Sequence, residues 1–223
     1  ASAAPQVQMM VVGAGNTVLA GPRTVSVGAA TVQAGHRRCG ALAGTPLAAL
    51  GDLHSIGGPA FALRDYGRCN GSGSSSGQLY VYSLDGETAH GQQGWEYKVD
   101  NRTGVTGSGD PSGPQGDGRR LRSGQQLLWF WCVAFAGGCQ RNLALRAPGS
   151  VAAGSSFTAT VVGYDNDGRG TPMSGALVRL GAARATSSGG RVTLRAPAGR
   201  GRYTLGASRN GSVPAFPLTI AVR

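Results

Sequence analysis

Residues 127–139 read LLWFWCVAFAGGC, and this stretch decides the class of the fold. Apolar and aromatic residues run directly into Cys132, a density that is typical of a buried β-strand. Gly137-Gly138 precedes Cys139, and paired glycines favour a turn at which the chain doubles back. We therefore predict a strand over residues 122–132 and a local Cys132–Cys139 disulfide.

The four cysteines indicate the compartment. Three pairings are open to them, and sequence alone does not select one. The chain has no C-x-x-C motif, and its three histidines belong to no Cys/His ligand pattern, so neither a redox pair nor a zinc ribbon is indicated. An even cysteine count favours disulfides in a secreted chain. We prefer Cys39–Cys69 together with Cys132–Cys139; a catalytic thiol would need a partner histidine that we cannot nominate.

The termini and hydropathy agree with that compartment. The sequence begins ASAAPQVQ, which is typical of a mature secreted chain, although the start of a cloned fragment would read the same. No apolar run approaches the ~20 residues that span a bilayer. We expect a secreted or cell-surface, extracellular location and no membrane span.

Residues 1–142 mix strand patterns with one helix signal. Thr45 and Pro46 are typical of an N-cap and a first helical position, and they predict a short helix that ends near Gly57-Gly58. Strands are predicted at residues 79–86 and 94–104. In the second of these, aromatic and charged residues alternate, which indicates a half-buried sheet.

The Gly/Ser/Pro-rich segments 70–78 and 104–118 predict loops, the first of them exposed and mobile. A loop as long as residues 104–118 is either functional or loosely structured.

Residues 143–223 have a different texture. Five short strand patterns, each followed by a turn, indicate a small all-β sandwich: FTATVVGY, ALVRLG, GRVTLRAP, GRYTLGAS and FPLTIAVR. We place the domain boundary at Asn142/Leu143.

The basic residues predict a weak affinity for polyanions. The net charge is +11, and residues 143–223 hold ten arginines against Asp165 and Asp167. Such an excess attracts polyanions weakly and in a salt-sensitive way. Specific nucleic-acid binding needs a known motif or a basic patch with interleaved aromatic residues, so we do not expect it.

Three runs in the first part resemble the transcobalamin C-terminal-like domains, β-grasp-like modules of secreted bacterial proteins. The runs are TPLAAL at 45–50, GWEYKVD at 94–100 and GQQLLW at 124–129. The resemblance covers roughly residues 5–142 and implies that the helix follows a pair of strands. This chain departs from the pattern where Asp100-Asn101-Arg102 replaces an asparagine-glycine turn and where the loops 70–78 and 104–118 are expanded.

The second part resembles bacterial immunoglobulin-like domains, on the runs TPMSGALV at 171–178, SGGRVTL at 188–194 and GRYTL at 201–205. That resemblance implies a spacer or adhesive stalk at a cell surface. The predicted fold class is thus mainly β: a β-grasp-like α+β domain with one short helix and two disulfides over residues 1–142, then an immunoglobulin-like β-sandwich over residues 143–223.

Four aromatic residues are candidates for a ligand platform: Trp95, Tyr97, Trp129 and Trp131. Aromatic side chains on a strand face can stack on a sugar or another flat ligand. Period-2 aromatics are more often core residues, and we favour core packing.

Arg119, Arg120 and Arg122 form a basic cluster beside the long loop. Guanidinium groups bind phosphate or carboxylate in a bidentate way, so the three residues are candidate anion contacts. A solvated loop face is the other interpretation.

The run DNDG at 165–168 resembles the first half of a calcium loop, with Asp165 and Asp167 as oxygen ligands. The glutamate that would complete an EF-hand loop is absent, because Ala176 occupies its position. We therefore favour a simple turn and predict no metal or other cofactor.

Three functional hypotheses follow. The preferred one is a non-enzymatic structural or adhesive surface protein, with self-association into a filament if residues 7–12 add to a neighbour's sheet. The alternative is a small-ligand module, for a corrinoid or a carbohydrate, on an immunoglobulin-like stalk. A hydrolase would have to use Glu87 and Glu96, and the sequence does not place them as a carboxylate pair.

Overall fold

The computed structural model describes residues 3–134 and 138–223 of the chain. They form a mainly β protein with one α-helix, in two compact units, Ala1–Cys139 (unit 1) and Gln140–Arg223 (unit 2). The division falls at Cys139/Gln140, and the predicted boundary after Asn142 lies inside the first strand of unit 2. Gly137 of the predicted Gly-Gly turn lies outside the described residues. None of the described helices is long and apolar enough to cross a membrane.

Unit 1 contains ten strands, one α-helix and two 3-10 turns (Ala14–Asn16 and Ser76–Gln78) in its described residues. In chain order the strands and the helix are β1 (Gln6–Val12), β2 (Val18–Ser26), β3 (Ala30–Ala34), β4 (Arg37–Ala41), α1 (Pro46–Ser55), β5 (Phe61–Asp65), β6 (Leu79–Leu84), β7 (Glu87–Thr88), β8 (Gly94–Val99), β9 (Arg102–Thr103) and β10 (Gln126–Cys132).

The main sheet of unit 1 has the order β2-β1-β10-β8-β9. Its central pair, β1 and β10, is parallel, with Val11 opposite Trp129, and the remaining neighbours are antiparallel. A strand that is bonded on both sides has no free edge to offer a second chain. Strand addition by residues 7–12 therefore loses its basis, because β1 is already bonded to β2 and β10 of its own sheet.

The helix α1 begins and ends as the sequence predicts. The Thr45 hydroxyl accepts a hydrogen bond from the Ala48 N–H (3.2 Å), and Pro46 follows as the first helical residue. At the other end, Gly57 has a φ of 83°, and the Gly58 N–H donates to the Leu53 carbonyl (2.9 Å). This is a Schellman ending, which needs a left-handed residue that glycine supplies without strain.

The core of unit 1 lies between α1 and one face of the main sheet. Leu47, Leu50 and Leu53 of the helix belong to the same buried cluster as Trp129 and Val11. Burial of such side chains is the main force that holds the unit together.

On β8 and β10 most of the second face is buried as well, which corrects the expectation of a half-buried sheet at these strands. The residues of β10 from Leu127 to Cys132 are all buried, and Lys98 of β8 is only 1% exposed. The Lys98 ammonium lies 5.7 Å from the centroid of the Phe130 ring, within the range of a cation–π contact.

Two smaller sheets, β3-β4 and β5-β6-β7, complete unit 1. The structure pairs Cys39 with Cys69 (Cα–Cα 5.4 Å) and Cys132 with Cys139 (5.1 Å), the pairing that we prefer from the sequence. The first disulfide links β4 to the segment that follows β5. It therefore ties the two small sheets together.

Unit 2 contains nine strands: β11 (Asn142–Arg146), β12 (Ser150–Val151), β13 (Ser156–Tyr164), β14 (Gly170–Pro172), β15 (Leu177–Leu180), β16 (Ala183–Thr186), β17 (Arg191–Arg195), β18 (Gly201–Ser208) and β19 (Leu218–Val222). One sheet joins β11, β17 and β14 to β13, and the other has the order β12-β19-β18-β15-β16. Residues of both sheets form a single core cluster, including Val161 and Ile220. Unit 2 is therefore a two-sheet β-sandwich.

We expect Leu50→Ala to lower the free energy of unfolding of unit 1 by about 2–5 kcal/mol, because Leu50 is fully buried and the truncation leaves a cavity. All three tryptophans lie in unit 1, so denaturant titration followed by tryptophan fluorescence reports on this unit alone. The control is Ile56→Ala, at a side chain that is 54% exposed, with an expected change within about 0.5 kcal/mol. Equal midpoints for the two variants would contradict the assigned core.

Candidate anion-binding site

A tight hairpin between β8 and β9 forms one side of the candidate site. Asp100 and Asn101 both have left-handed φ angles, 48° and 73°, as a two-residue type I′ turn requires. The turn places Arg102 opposite Val99 in the sheet register. The Asp100 carboxylate accepts hydrogen bonds from the Gln126 N–H (2.9 Å) and the Gln125 amide (2.7 Å), so the hairpin is fixed to the start of β10.

The long loop after β9 forms the other side, and it is folded rather than loosely structured. The Val105 N–H donates to the Pro114 carbonyl (2.9 Å) and closes the loop at its base. Leu121 is 4% exposed, and its N–H donates to the Gly44 carbonyl (2.8 Å), just before α1. These contacts fix the backbone of the arginine-bearing segment 119–122.

Gly113 makes this close folding feasible. Its φ is 81°, and a Cβ at this position would collide with the Arg119 carbonyl oxygen. Only glycine fits without strain where the backbone is left-handed and the backbone of another loop residue lies this close.

Four arginines line one pocket of about 140 Å³: Arg102, Arg119, Arg120 and Arg122. Asp117 is the single acidic residue in the lining. The structure thus brings together the three arginines that the sequence predicted and adds Arg102. Arg102 was not among the predicted site residues because it lies across the hairpin. The sequence signal for its position is the two-residue Asp100-Asn101 turn.

The four arginines of the pocket differ in their hydrogen bonds and ion pairs. Arg120 is held by carbonyls, with its Nε donating to Pro111 (3.1 Å) and its Nη1 to Ala43 (3.5 Å). Arg119 pairs with Asp117 at 3.8 Å, and both side chains are exposed, so this bridge contributes little. The ion pairs found among the described residues include neither Arg102 nor Arg122.

The pocket also contains a hydrogen-bond acceptor without a partner. The Gln115 amide nitrogen donates to the Thr103 carbonyl (3.0 Å), while its Oε1 is buried and accepts no hydrogen bond within the described chain. A buried unsatisfied acceptor is costly. The guanidinium groups of the lining are the groups that would meet an anion.

The four aromatic residues lie in the core of unit 1, the arrangement that the sequence favoured. Trp95, Tyr97, Trp129 and Trp131 are all 5% exposed or less and belong to the unit 1 core. Trp95 packs edge-to-face on Trp131 with centroids 5.6 Å apart, and Tyr97 packs on Trp129 at 5.5 Å. Ring contacts of this kind are typical of core packing rather than of an open ligand platform.

The Asp165 carboxylate is used by its own turn rather than offered to a cation. Its Oδ1 accepts from the Asp167 N–H (3.0 Å) and the Arg169 N–H (2.8 Å), and these bonds hold the Asp165 pKa below its usual value. Asp167 pairs with Arg169 at 3.6 Å. Among the described residues, no three His, Cys, Asp or Glu side chains lie close enough together to hold a metal ion.

The two glutamates of the hydrolase hypothesis have different surroundings. The Glu87 carboxylate accepts from the Ala14 N–H (2.7 Å), a structural contact. Glu96 lies beside a cavity of about 100 Å³ that Tyr97 and Trp129 also line. Burial raises the pKa of Glu96 to about 7, against a weaker lowering by the Tyr97 backbone.

No protein-family model, no curated protein and no solved structure matches the chain. The function is therefore inferred from the chemistry of the site and from the fold.

The raised pKa of Glu96 predicts a pH-dependent stability. The unfolded chain releases this proton near pH 4.5, and the folded chain retains it to about pH 7. The free energy of unfolding therefore falls as the pH rises across this window, by on the order of 3 kcal/mol, and is unaffected by this group at lower pH.

Glu96→Gln removes the ionisable group, so its stability should stay nearly flat between pH 4.5 and 7, apart from changes common to both proteins. Tryptophan-monitored unfolding of the native protein and the variant across that range makes the test. Parallel stability profiles for the two proteins would contradict the assignment.

Proposed function

We propose that this chain is a secreted or cell-surface, non-enzymatic adhesive protein. In this proposal, unit 1 binds acidic groups of a surface polymer and unit 2 serves as a spacer. The observation that carries the proposal is the convergence of four arginine side chains on one pocket. Buried or clustered cationic groups of this kind are typical of sites that bind carboxylate or phosphate.

The strand orders support the two family resemblances. In unit 1 the helix follows a pair of strands, β3 and β4, which itself comes after the β1–β2 hairpin of the main sheet. Strand β8 precedes the final strand β10, in the order that the β-grasp-like resemblance implies. In unit 2 the neighbours β11-β13-β17 and β15-β18-β19 match the A-B-E and C-F-G groupings of immunoglobulin sandwiches. A spacer role for unit 2 rests on that likeness.

The disulfides support the location. Two disulfides in a chain of this size are typical of an oxidising compartment, such as the outside of the cell. Surface polymers with acidic groups are accessible there. The net charge of +11 would draw the protein to such a polymer over a distance set by the ionic strength.

The size of the pocket favours an acidic group over a large ligand. Sites for drug-sized molecules usually enclose about 300–1,000 Å³. The arginine pocket encloses about 140 Å³, which suits one carboxylate or phosphate with a few attached atoms. We therefore favour a group presented by a polymer over a corrinoid.

The proposal predicts that Arg102→Gln/Arg122→Gln weakens binding to a carboxylated polysaccharide, polygalacturonate, about tenfold or more. Two charge-assisted contacts are lost, each of about 1.5–3 kcal/mol before solvent screening. Isothermal titration calorimetry at fixed ionic strength measures the change, with neutral dextran as the negative ligand.

The matched control is Arg179→Gln/Arg191→Gln, which removes the same charge from exposed positions of unit 2. Its affinity should fall much less than that of the pocket variant. An equal loss for the two variants would mean that binding follows net charge alone, and the assignment of the pocket would be wrong.

A further inference from the structure

We propose a second ligand site in unit 1, an open groove that binds a sugar chain bearing carboxylates. The groove has a volume of about 590 Å³, and its lining includes His36, Arg37, Arg64, Tyr66 and Arg68. We call it the Tyr66 groove. It shares no residue with the arginine pocket, so the inference does not depend on the function proposed above.

Two separate segments form the walls of the Tyr66 groove. One wall consists of the turn between β3 and β4, which carries His36, and the first residue of β4, Arg37. The other is the end of β5 with the residues that follow it. There Tyr66 is 67% exposed, although its backbone N–H is held by the Gln78 carbonyl (3.2 Å). A large aromatic side chain held open on a fixed backbone provides a flat face on which a ring can stack.

The single acidic side chain of the groove lining, Asp65, is already engaged by hydrogen bonds and an ion pair. Asp65 accepts hydrogen bonds from the Gly67 and Cys69 N–H groups (both 2.9 Å) and pairs with Arg37 at 3.3 Å. The Gly67 hydrogen bond, with smaller contributions from Cys69 and Arg37, holds the Asp65 pKa below its usual value. Asp65 therefore orders one wall.

Two further arginines remain to meet an anion. The ion pairs of the described chain include neither Arg64 nor Arg68. The Arg64 guanidinium carbon lies 4.7 Å from the centroid of the Tyr82 ring. A cation–π contact of this kind holds the guanidinium beside the ring, and its N–H groups can still donate to a carboxylate.

The groove is held in shape before any ligand arrives. Arg68 has a left-handed φ of 59°, a conformation that is uncommon for a residue with a side chain and is found at functional sites. The next residue, Cys69, is bonded to Cys39 of β4, and the Gly40 N–H donates to the Asn70 carbonyl (2.8 Å). The disulfide thus joins the two arginine-bearing walls, and less order has to be gained on binding.

A carboxylated sugar fits these features better than a nucleic acid. Proteins that bind single strands stack successive bases on several aromatic side chains. The lining of the Tyr66 groove contains one large aromatic side chain, the exposed Tyr66, and the smaller ring of His36. One stacking face with several guanidinium groups matches a ring that carries its own acidic group.

The test uses a galacturonic acid octamer, titrated calorimetrically into the full chain carrying Arg102→Gln/Arg122→Gln, so that the arginine pocket is weakened. In this background we expect Tyr66→Ala to reduce affinity roughly three- to tenfold, through loss of the stacking face. Tyr66→Phe keeps the ring and should retain the affinity. Arg68→Asn removes a charge at a position where asparagine tolerates the left-handed backbone, and it should also weaken binding.

Three outcomes would overturn the Tyr66 groove: equal affinity of Tyr66→Ala and its parent, equal loss in Tyr66→Phe and Tyr66→Ala, or equally tight binding of a thymidine octanucleotide. The first two would exclude ring stacking, and the third would indicate a general polyanion surface or a nucleic-acid site. The proposal for the arginine pocket is tested separately. It would be wrong if Arg102→Gln/Arg122→Gln bound polygalacturonate as tightly as the native protein does.

Discussion

The parallel pairing of β1 with β10 is the constraint on which unit 1 depends. It joins residues 8–12 to residues 126–130, so the helix, both small sheets and both long loops form the crossover between two adjacent strands. A parallel pair always needs such a crossover. A shift of one residue would exchange the two faces of β10 and move Trp129 out of the core. It would also displace Gln125 and Gln126, which fix the Asp100 hairpin beside the arginine pocket.

Both candidate sites hold several positive charges close together. In each site the backbone that carries the arginines is fixed by contacts outside the site. Four guanidinium groups around a small pocket repel one another, and one carboxylate offsets only part of that repulsion. The loop tolerates this because Leu121 is buried and its N–H is bonded to Gly44, and because Arg120 is held by two carbonyls. The Tyr66 groove relies on a disulfide for the same purpose. Variable loops on a rigid scaffold are where binding sites usually lie.

Local signals explain what the sequence could predict, and long-range contacts explain what it could not. Thr45 and Pro46 placed α1 because a cap is a property of neighbouring residues. Period-2 patterns placed β8, but the burial of Lys98 depends on what covers the second face of the sheet. The segment 70–78 is not simply exposed and mobile, since Ser76 is buried and donates to the Gly109 carbonyl (2.5 Å), a residue far along the chain. Arg102 lines the pocket because of the geometry of the Asp100-Asn101 turn, which composition alone does not reveal.

The two proposed sites should respond differently to salt, and this difference would separate affinity from specificity. Coulombic attraction between exposed arginines and a polymer is screened over about 8 Å at physiological ionic strength. Ring stacking on Tyr66 depends on contact area and ring geometry, and salt screens it far less. Under the proposed function, arginines would supply the encounter and much of the affinity, while the open tyrosine face would distinguish a sugar chain from other polyanions of equal charge. A polymer long enough to occupy both proposed sites would gain from the second contact through its high effective concentration, so two individually weak sites would be sufficient for the proposed adhesion.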